Sequence, residues 1–322
     1  MLLLLGGFRG LPASGAETVA YSGCCDASAA APINAELFAA ASDEGSLLQL
    51  YRRGAGGAAV RSVSVSSFLG MRPKREADLE GAARLGNLVY WVGSHSRNKE
   101  GAAVPERQVL FATAIRGTGP LAELVPVGKP CVGLLAALGS DPALKEFELG
   151  RAAGLPGEAK GGLNIEGLAA GPGGALWIAF RNPVPLGMAL VVPLLNPGEV
   201  IEGRPPRLGP ALRLDLEGLG IRDIARAGDR YVVVAGPAEG GGRHRLFAWS
   251  GDARAPVEIR KGFPRGFAAE GLVVDDLPGA RTVEVLSDEG NASIGGKPCE
   301  DLRDIARRVF HAVTVGVGGS GE

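Results

Sequence analysis

Chemically versatile side chains are scarce in this 322-residue chain: three histidines, four cysteines, three methionines and three tryptophans. Four cysteines in a chain this long do not make a disulfide scaffold. Cys24 and Cys25 are adjacent and badly placed to bridge each other, and Cys131 and Cys299 lack a CxxC or histidine partner spacing. All four therefore read as reduced, which places the chain in the cytoplasm, with the periplasm as the alternative. No run approaches the ~18 apolar residues of a membrane span. The opening Leu2–Leu5 run has no basic segment before it and is shorter than a signal peptide core, so it reads as a strand. Neither sign of charge dominates: 34 Lys and Arg oppose 35 Asp and Glu, which removes any global electrostatic pull toward nucleic acid or an anionic membrane. The chain also lacks a GxSxG elbow, an HExxH helix, a GxxxxGK[ST] loop and a cysteine–histidine zinc pattern.

What it has is glycine (51), proline (22) and a hydrophobic content of 46%, enough for a large core cut into short segments by many turns. Internal repeats explain the segmentation. Residues 25–45 (CDASAAAPINAELFAAASDEG), 78–98 (DLEGAARLGNLVYWVGSHSRN), 164–182 (NIEGLAAGPGGALWIAFRN), 220–237 (GIRDIARAGDRYVVVAGP) and 268–290 (AAEGLVVDDLPGARTVEVLSDEG) share one plan. Each is a small-residue strand, a Gly, Asn or Asp turn, then an apolar strand ending in polar residues, which is a hairpin signature. Two further strand-like runs follow each of the first four hairpins. Four strands per unit, repeated radially, make an all-β propeller, with five blades expected and six as the alternative. The fifth unit lacks outer strands, which RVFHAVTVGV near the C-terminus and LLLLGGFRG near the N-terminus would supply. Residues 133–160 read as a helical insertion with Ser140 as an N-cap, and residues 315–322 as a flexible tail. The whole chain is expected to be one domain.

Aligning the hairpins puts Ser28, Glu80, Glu166, Asp223 and Glu270 in one column, and Asp26, Asp78, Asn164, Ile221 and Ala268 two residues earlier. Inner strands of a propeller converge on the axis, so the acids of the first column should face one another. Two carboxylates ~7 Å apart repel by roughly 2 kcal/mol at an effective dielectric near 20. A cation, an arginine or a bound proton must neutralise them. Arg97, Arg181, Arg222 or Arg265 would do so structurally. Alternatively Glu80, Glu166, Asp223 and Glu270 would hold Ca²⁺ or Mg²⁺. The Arg97–Asn98 and Arg181–Asn182 steps at strand ends, with Asp26 and Asp78, are candidate ligand-binding residues. His95 is the candidate acid–base group.

The blocks CDASAA, DLEGAARLGNLVYWVGSHSRNKEG, GGLNIEGLAAGPGGALWIAFRNP, ALVVPLLNPGEVI and LGIRDIARAGDRYVVVAGP resemble an uncharacterised bacterial family, domain of unknown function 3616. The resemblance implies a β-propeller and no established activity. A more remote similarity to phytase-like and esterase-like propellers implies axial acids that hold calcium. Two functions follow as expectations: a module that binds a small ligand or a partner at the channel mouth, or a divalent-metal-dependent ester or phosphoester hydrolase.

Overall fold

The structure, a computed structural model, describes residues 18–42, 46–72, 75–260, 262–264, 266–274 and 281–317. The Leu2–Leu5 run, Asp43, Glu44 and Arg265 lie outside the described residues. Five sheets form the blades, each built outward from its innermost strand and antiparallel throughout except at the outer edge of blade 5, where Gly57–Ala58 pairs parallel to Thr18–Ser22. Blade 1 contains Ala29–Pro32, Leu37–Ala41, Leu47–Arg52 and Arg61–Ser64; blade 2 contains Leu79–Leu85, Leu88–Gly93, Leu110–Arg116 and Glu123–Cys131. Blade 3 contains Asn164–Ala170, Leu176–Asn182, Ala189–Leu194 and Leu212–Leu214; blade 4 contains Gly220–Ala227, Arg230–Gly236, Arg245–Trp249 and Val257–Arg260. Each innermost strand touches the next, and that of blade 5, Ala268–Val273, returns to that of blade 1, so the ring closes at five.

Turn chemistry sets the hairpins. In blades 2 and 4 the two-residue turns Gly86–Asn87 and Gly228–Asp229 join Leu85 to Leu88 and Ala227 to Arg230. Only the first turn residue has positive φ (Gly86 +60°, Gly228 +66°), the type II′ pattern that matches strand twist and that glycine adopts without steric cost. Blade 5 is completed by both ends of the described chain. Its inner pair, Ala268–Val273 and Thr282–Asp288, is followed by Val309–Gly316, and Thr18–Ser22 pairs antiparallel to that strand as the fourth. Among the described residues the N-terminal contribution to closure is Thr18–Ser22; the expected segment lies outside them. The expected tail boundary at 315 falls inside a strand that runs to Gly316.

Burial follows the blade interfaces, with one large apolar cluster at each of the five seams. Trp91 sits in the cluster of blades 1 and 2 and donates its indole N–H to Thr113 Oγ1 at 3.0 Å, which satisfies its one polar atom. Trp177 stacks on Tyr231 with ring centroids 4.3 Å apart, beside Trp249, between blades 3 and 4. At the closing seam Tyr21, Phe38, Tyr51 and Phe310 form a cluster of edge and stacked contacts. Such pairs contribute about 0.5–1.5 kcal/mol each beyond area burial. A chain with 5% aromatics therefore concentrates several of them where its two ends meet.

The insertion between blades 2 and 3 is helical: Leu134–Ser140, a 3₁₀ segment Pro142–Phe147, and Leu149–Ala152. Leu134, Leu138, Leu144, Phe147 and Leu149 bury against the seam of these blades. Asp141, not Ser140, is the cap. Its side chain accepts from Ala143 N, while Ser140 ends the preceding helix and its hydroxyl bonds to Ala136 O. Among the described residues no helix is long and apolar enough to cross a membrane.

Candidate functional site

The ladders of four inner strands carry a bulge at the same place. Pairing shifts between Leu79 and Gly81, Ile165 and Gly167, Ile221 and Asp223, and Ala269 and Gly271. The unpaired residues are Glu80, Glu166, Arg222 and Glu270, with Ser28 standing just before the first paired residue of blade 1. A bulge re-aims the extra side chain. All five of these residues line one pocket of about 920 Å³. At the opposite mouth small and apolar residues, including Pro32, Ala82, Leu168 and Leu272, leave a cavity of only about 30 Å³.

The ring thus contains Arg222 where an acid was expected, and Asp223 is corrected out of it. Blades 2 and 3 have glycine at Asp223's register, because the inner strands pass close there. A β-carbon on Gly81 would lie 3.0 Å from Leu168 N, and one on Gly167 would lie 3.2 Å from Ile224 N. In blade 4 the Asp223 carboxylate uses this contact. Oδ2 accepts from Leu272 N of blade 5 at 2.8 Å and Oδ1 from Ile224 N at 2.7 Å. Burial pushes the Asp223 carboxyl well above the usual range, and the two amide bonds pull it back only in part. It does not line the pocket.

Arg222 ties the ring together. Its Nε lies 3.0 Å from Glu166 Oε2, and its Nη2 pairs with Glu270. Glu166 also receives Arg181 Nη1 at 2.8 Å and Asn164 Nδ2 at 2.7 Å. At an effective dielectric near 20 the Arg222–Glu166 contact is worth about 5 kcal/mol of gross attraction, most of it offset by taking both charges out of water. The pairs therefore fix geometry more than they add stability. Burial lowers the Arg222 pKa. Burial acts the same way on Arg181, but Glu166, Glu158 and Glu80 outweigh it and the pKa is raised. Asp78, held in a left-handed conformation (φ +50°), meets Arg107 Nη1 at 3.1 Å; burial nevertheless raises its pKa. Asp26 accepts from the Ser42 hydroxyl.

Three expected ligand-binding residues hold loops. Arg97 donates to Ala153 O and Gly101 O, and Asn98 accepts from Ala102 N, although both line the pocket. Asn182 is buried outside the pocket and donates to Gly157 O and Ala159 O. Arg97 and Asn182 thereby hold the insertion so that Pro156, Gly157, Glu158 and Ala159 form one wall. The two Arg–Asn steps are not equivalent by register: Ser94–His95, not Arg97–Asn98, matches Arg181–Asn182. His95 also leaves the site. It is buried behind the pocket, its Nδ1 donates to Gly93 O at 2.8 Å, and desolvation lowers its pKa to about 4. The histidine that does line the pocket is His244, likewise lowered to about 4 by burial and by Arg222 and Arg181.

The reading of four reduced cysteines is overturned. Cys25 and Cys299 form a disulfide across 274 residues of sequence, while Cys24 and Cys131 are free. The bond attaches the segment between the second and third strands of blade 5 to the start of blade 1. That segment brings Gly290, Asn291 and Glu300 to the pocket. Sequence spacing gave no sign of this pairing, because a propeller joins residues from its two ends.

Fold and site together define a five-bladed β-propeller with an axial pocket, lined by acids and arginines, at the mouth that carries the insertion. The chain belongs to the family described as protein of unknown function DUF3616, whose model matches residues 26–110 and 122–261. No curated protein matches it. Among solved structures, a Myxococcus xanthus glutaminyl cyclase is 12% identical with a TM-score of 0.45, covering 95% of this chain and 100% of that one. A putative oxidoreductase (glucose dehydrogenase) of Thermus thermophilus is 15% identical with a TM-score of 0.44, covering 94% and 100%. A GH43_1 enzyme from Xanthomonas citri, complexed with xylose, is 12% identical with a TM-score of 0.47, covering 95% and 92%.

Proposed function

We propose that the protein is a binding module whose axial pocket receives a small polar molecule. The observation that carries this reading is the pocket itself: about 920 Å³, with side chains from all five blades, the insertion and the disulfide-linked segment converging on it. That is the size of a small-molecule site, and its wall of carboxylates, guanidinium groups and amides suits a hydrogen-bonding ligand. The hydrolase alternative has less support. Among the described residues no three His, Cys, Asp or Glu side chains are grouped to hold a metal ion. Of the proposed ligands, Glu166 and Glu270 are paired with arginines and Asp223 is bound to amides. The Cys25–Cys299 bond favours an oxidising compartment, such as the periplasm, over the cytoplasm.

A thermal-shift panel of neutral polyols, carboxylic acids, amines and divalent cations tests the proposal, run on the wild type and on Ala159→Trp. That substitution fills the pocket wall without changing a charge. At least one class should raise the melting temperature of the wild type and leave the variant unmoved. No shift with any class, or equal shifts in both proteins, removes the reading.

A further inference from the structure

The ring acids Glu166 and Glu270 are paired with arginines, but a second group of acids in the same pocket is not. Asp26, Asp288 and Glu300 meet beside Gly290. A β-carbon added to Gly290 would lie 3.3 Å from Glu300 Oε2, 3.4 Å from Asp288 Oδ1 and 3.7 Å from Asp26 Oδ2. Gly290 has no positive φ, so its backbone does not demand glycine, and the missing side chain leaves a gap edged by three carboxylate oxygens. None of the three makes an ion pair with lysine or arginine among the described residues. Like charges placed this close repel, yet the fold forces them together. Cys25 precedes Asp26 and Cys299 precedes Glu300, so the disulfide itself sets two of these acids side by side. Glu300 N bonds to Gly290 O, and Asp288 Oδ1 accepts from Gly290 N at 2.8 Å, which fixes the third. Burial raises the Asp288 pKa and the Asp26 charge adds to this, against the Gly290 N–H and the Arg222 charge, which lower it.

An independent feature of the pocket points the same way. Asn164 is 6% exposed, its amide N–H₂ is taken by Glu166, and its Oδ1 has no hydrogen-bond partner. A buried acceptor without a donor costs about 1–3 kcal/mol, which a ligand N–H would recover. Among the described residues the pocket's other buried atoms without a hydrogen-bond partner are Glu270 Oε1, an acceptor, and Arg222 Nε, a donor that lies 3.0 Å from Glu166 Oε2, so acceptors outnumber donors.

We propose that the pocket binds an organic cation, a primary amine or short polyamine, with one ammonium group at the Asp26–Asp288–Glu300 corner beside Gly290. This rests on the pocket being a ligand site and adds the charge class of the ligand. An ammonium carries three N–H donors, one for each carboxylate. A bare metal ion needs a tighter ligand cage, and no such grouping exists among the described residues.

Calorimetric titration with 1,4-diaminobutane, against neutral 1,4-butanediol, tests the proposal on the wild type, Gly290→Ala and Glu300→Gln. The diamine should bind the wild type and the diol should not. Binding should weaken at least tenfold in Gly290→Ala, which fills the gap and keeps every charge, and in Glu300→Gln, a change at an exposed position. Circular dichroism and melting temperature confirm that both variants are folded. Equal diamine affinity in Gly290→Ala and the wild type would overturn the assignment. So would a silent diamine when polyols, carboxylic acids or Ca²⁺ stabilise the wild type in an Ala159→Trp-sensitive way; that result leaves the pocket a site for another class. If nothing in the panel binds, the pocket reading fails as well.

Discussion

Acidifying the solution from pH 7.5 to 5 should destabilise the wild type by about 2 kcal/mol more than it destabilises His95→Asn. His95 is 1% exposed, its Nε2 has no partner, and its Nδ1 donates to Gly93 O. The native protein keeps this ring neutral, with a pKa near 4 against 6.5 for a free imidazole. Above pH 6.5 neither state takes the proton, and stability is full. Below it the unfolded chain binds a proton that the native state refuses, so stability falls until pH reaches about 4. The complete loss is roughly 3 kcal/mol, of which about 2 has occurred by pH 5. His244 adds a loss of the same sign. Asp78 and Asp288 act in the opposite direction, because their raised pKa values let the native state bind protons first on acidification. Comparing wild type with variant cancels these contributions. Asparagine suits the position because His95 has φ +57°, a left-handed conformation that Asn tolerates. Urea titrations at the two pH values give the numbers. Equal losses in both proteins, within about 0.5 kcal/mol, would refute the reasoning and return His95 to the exposed, titrating groups.

Other consequences follow from the site. Asp223→Ala should cost about 2–4 kcal/mol and speed amide exchange at Leu272, because two buried N–H groups lose their acceptor; unchanged exchange at Leu272 would contradict the bridge between blades 4 and 5. Denatured, unreduced protein should take up two iodoacetamide groups rather than four. The double variant Cys25→Ser, Cys299→Ser should lose about 2–4 kcal/mol, and four alkylations before reduction would rule the bond out.

The fold was legible because the repeat was. Hairpin pattern, turn glycines and a helical interruption each depend on a few neighbouring residues, and blade number follows from counting them. The site was half legible. Glu80, Glu166 and Glu270 occur in an apolar–Glu–Gly triplet at the bulge, and the triplet Ile221–Arg222–Asp223 occupies the same register. Matching acid to acid shifted blade 4 by one residue and exchanged the roles of Arg222 and Asp223. The glycine column held the correcting signal, because Asp223 stands where blades 2 and 3 need close approach. The Arg97–Asn98 match failed for a related reason: identical dipeptides outside a ladder carry no register. Nothing local marked Cys25 and Cys299 as a pair, or Asp26 and Glu300 as neighbours. Those contacts exist only once the two ends of the described chain share blade 5.

The claim that side chains from different blades meet at one pocket is tested most directly by a double-mutant cycle between Arg222 and Glu270, 48 residues apart and on adjacent blades. Arg222→Met alone should cost about 3–5 kcal/mol, because it strands buried carboxylates. Adding Glu270→Gln should recover at least about 1 kcal/mol of that loss relative to additivity. Losses that simply add, within about 0.5 kcal/mol, would mean that the two groups do not touch.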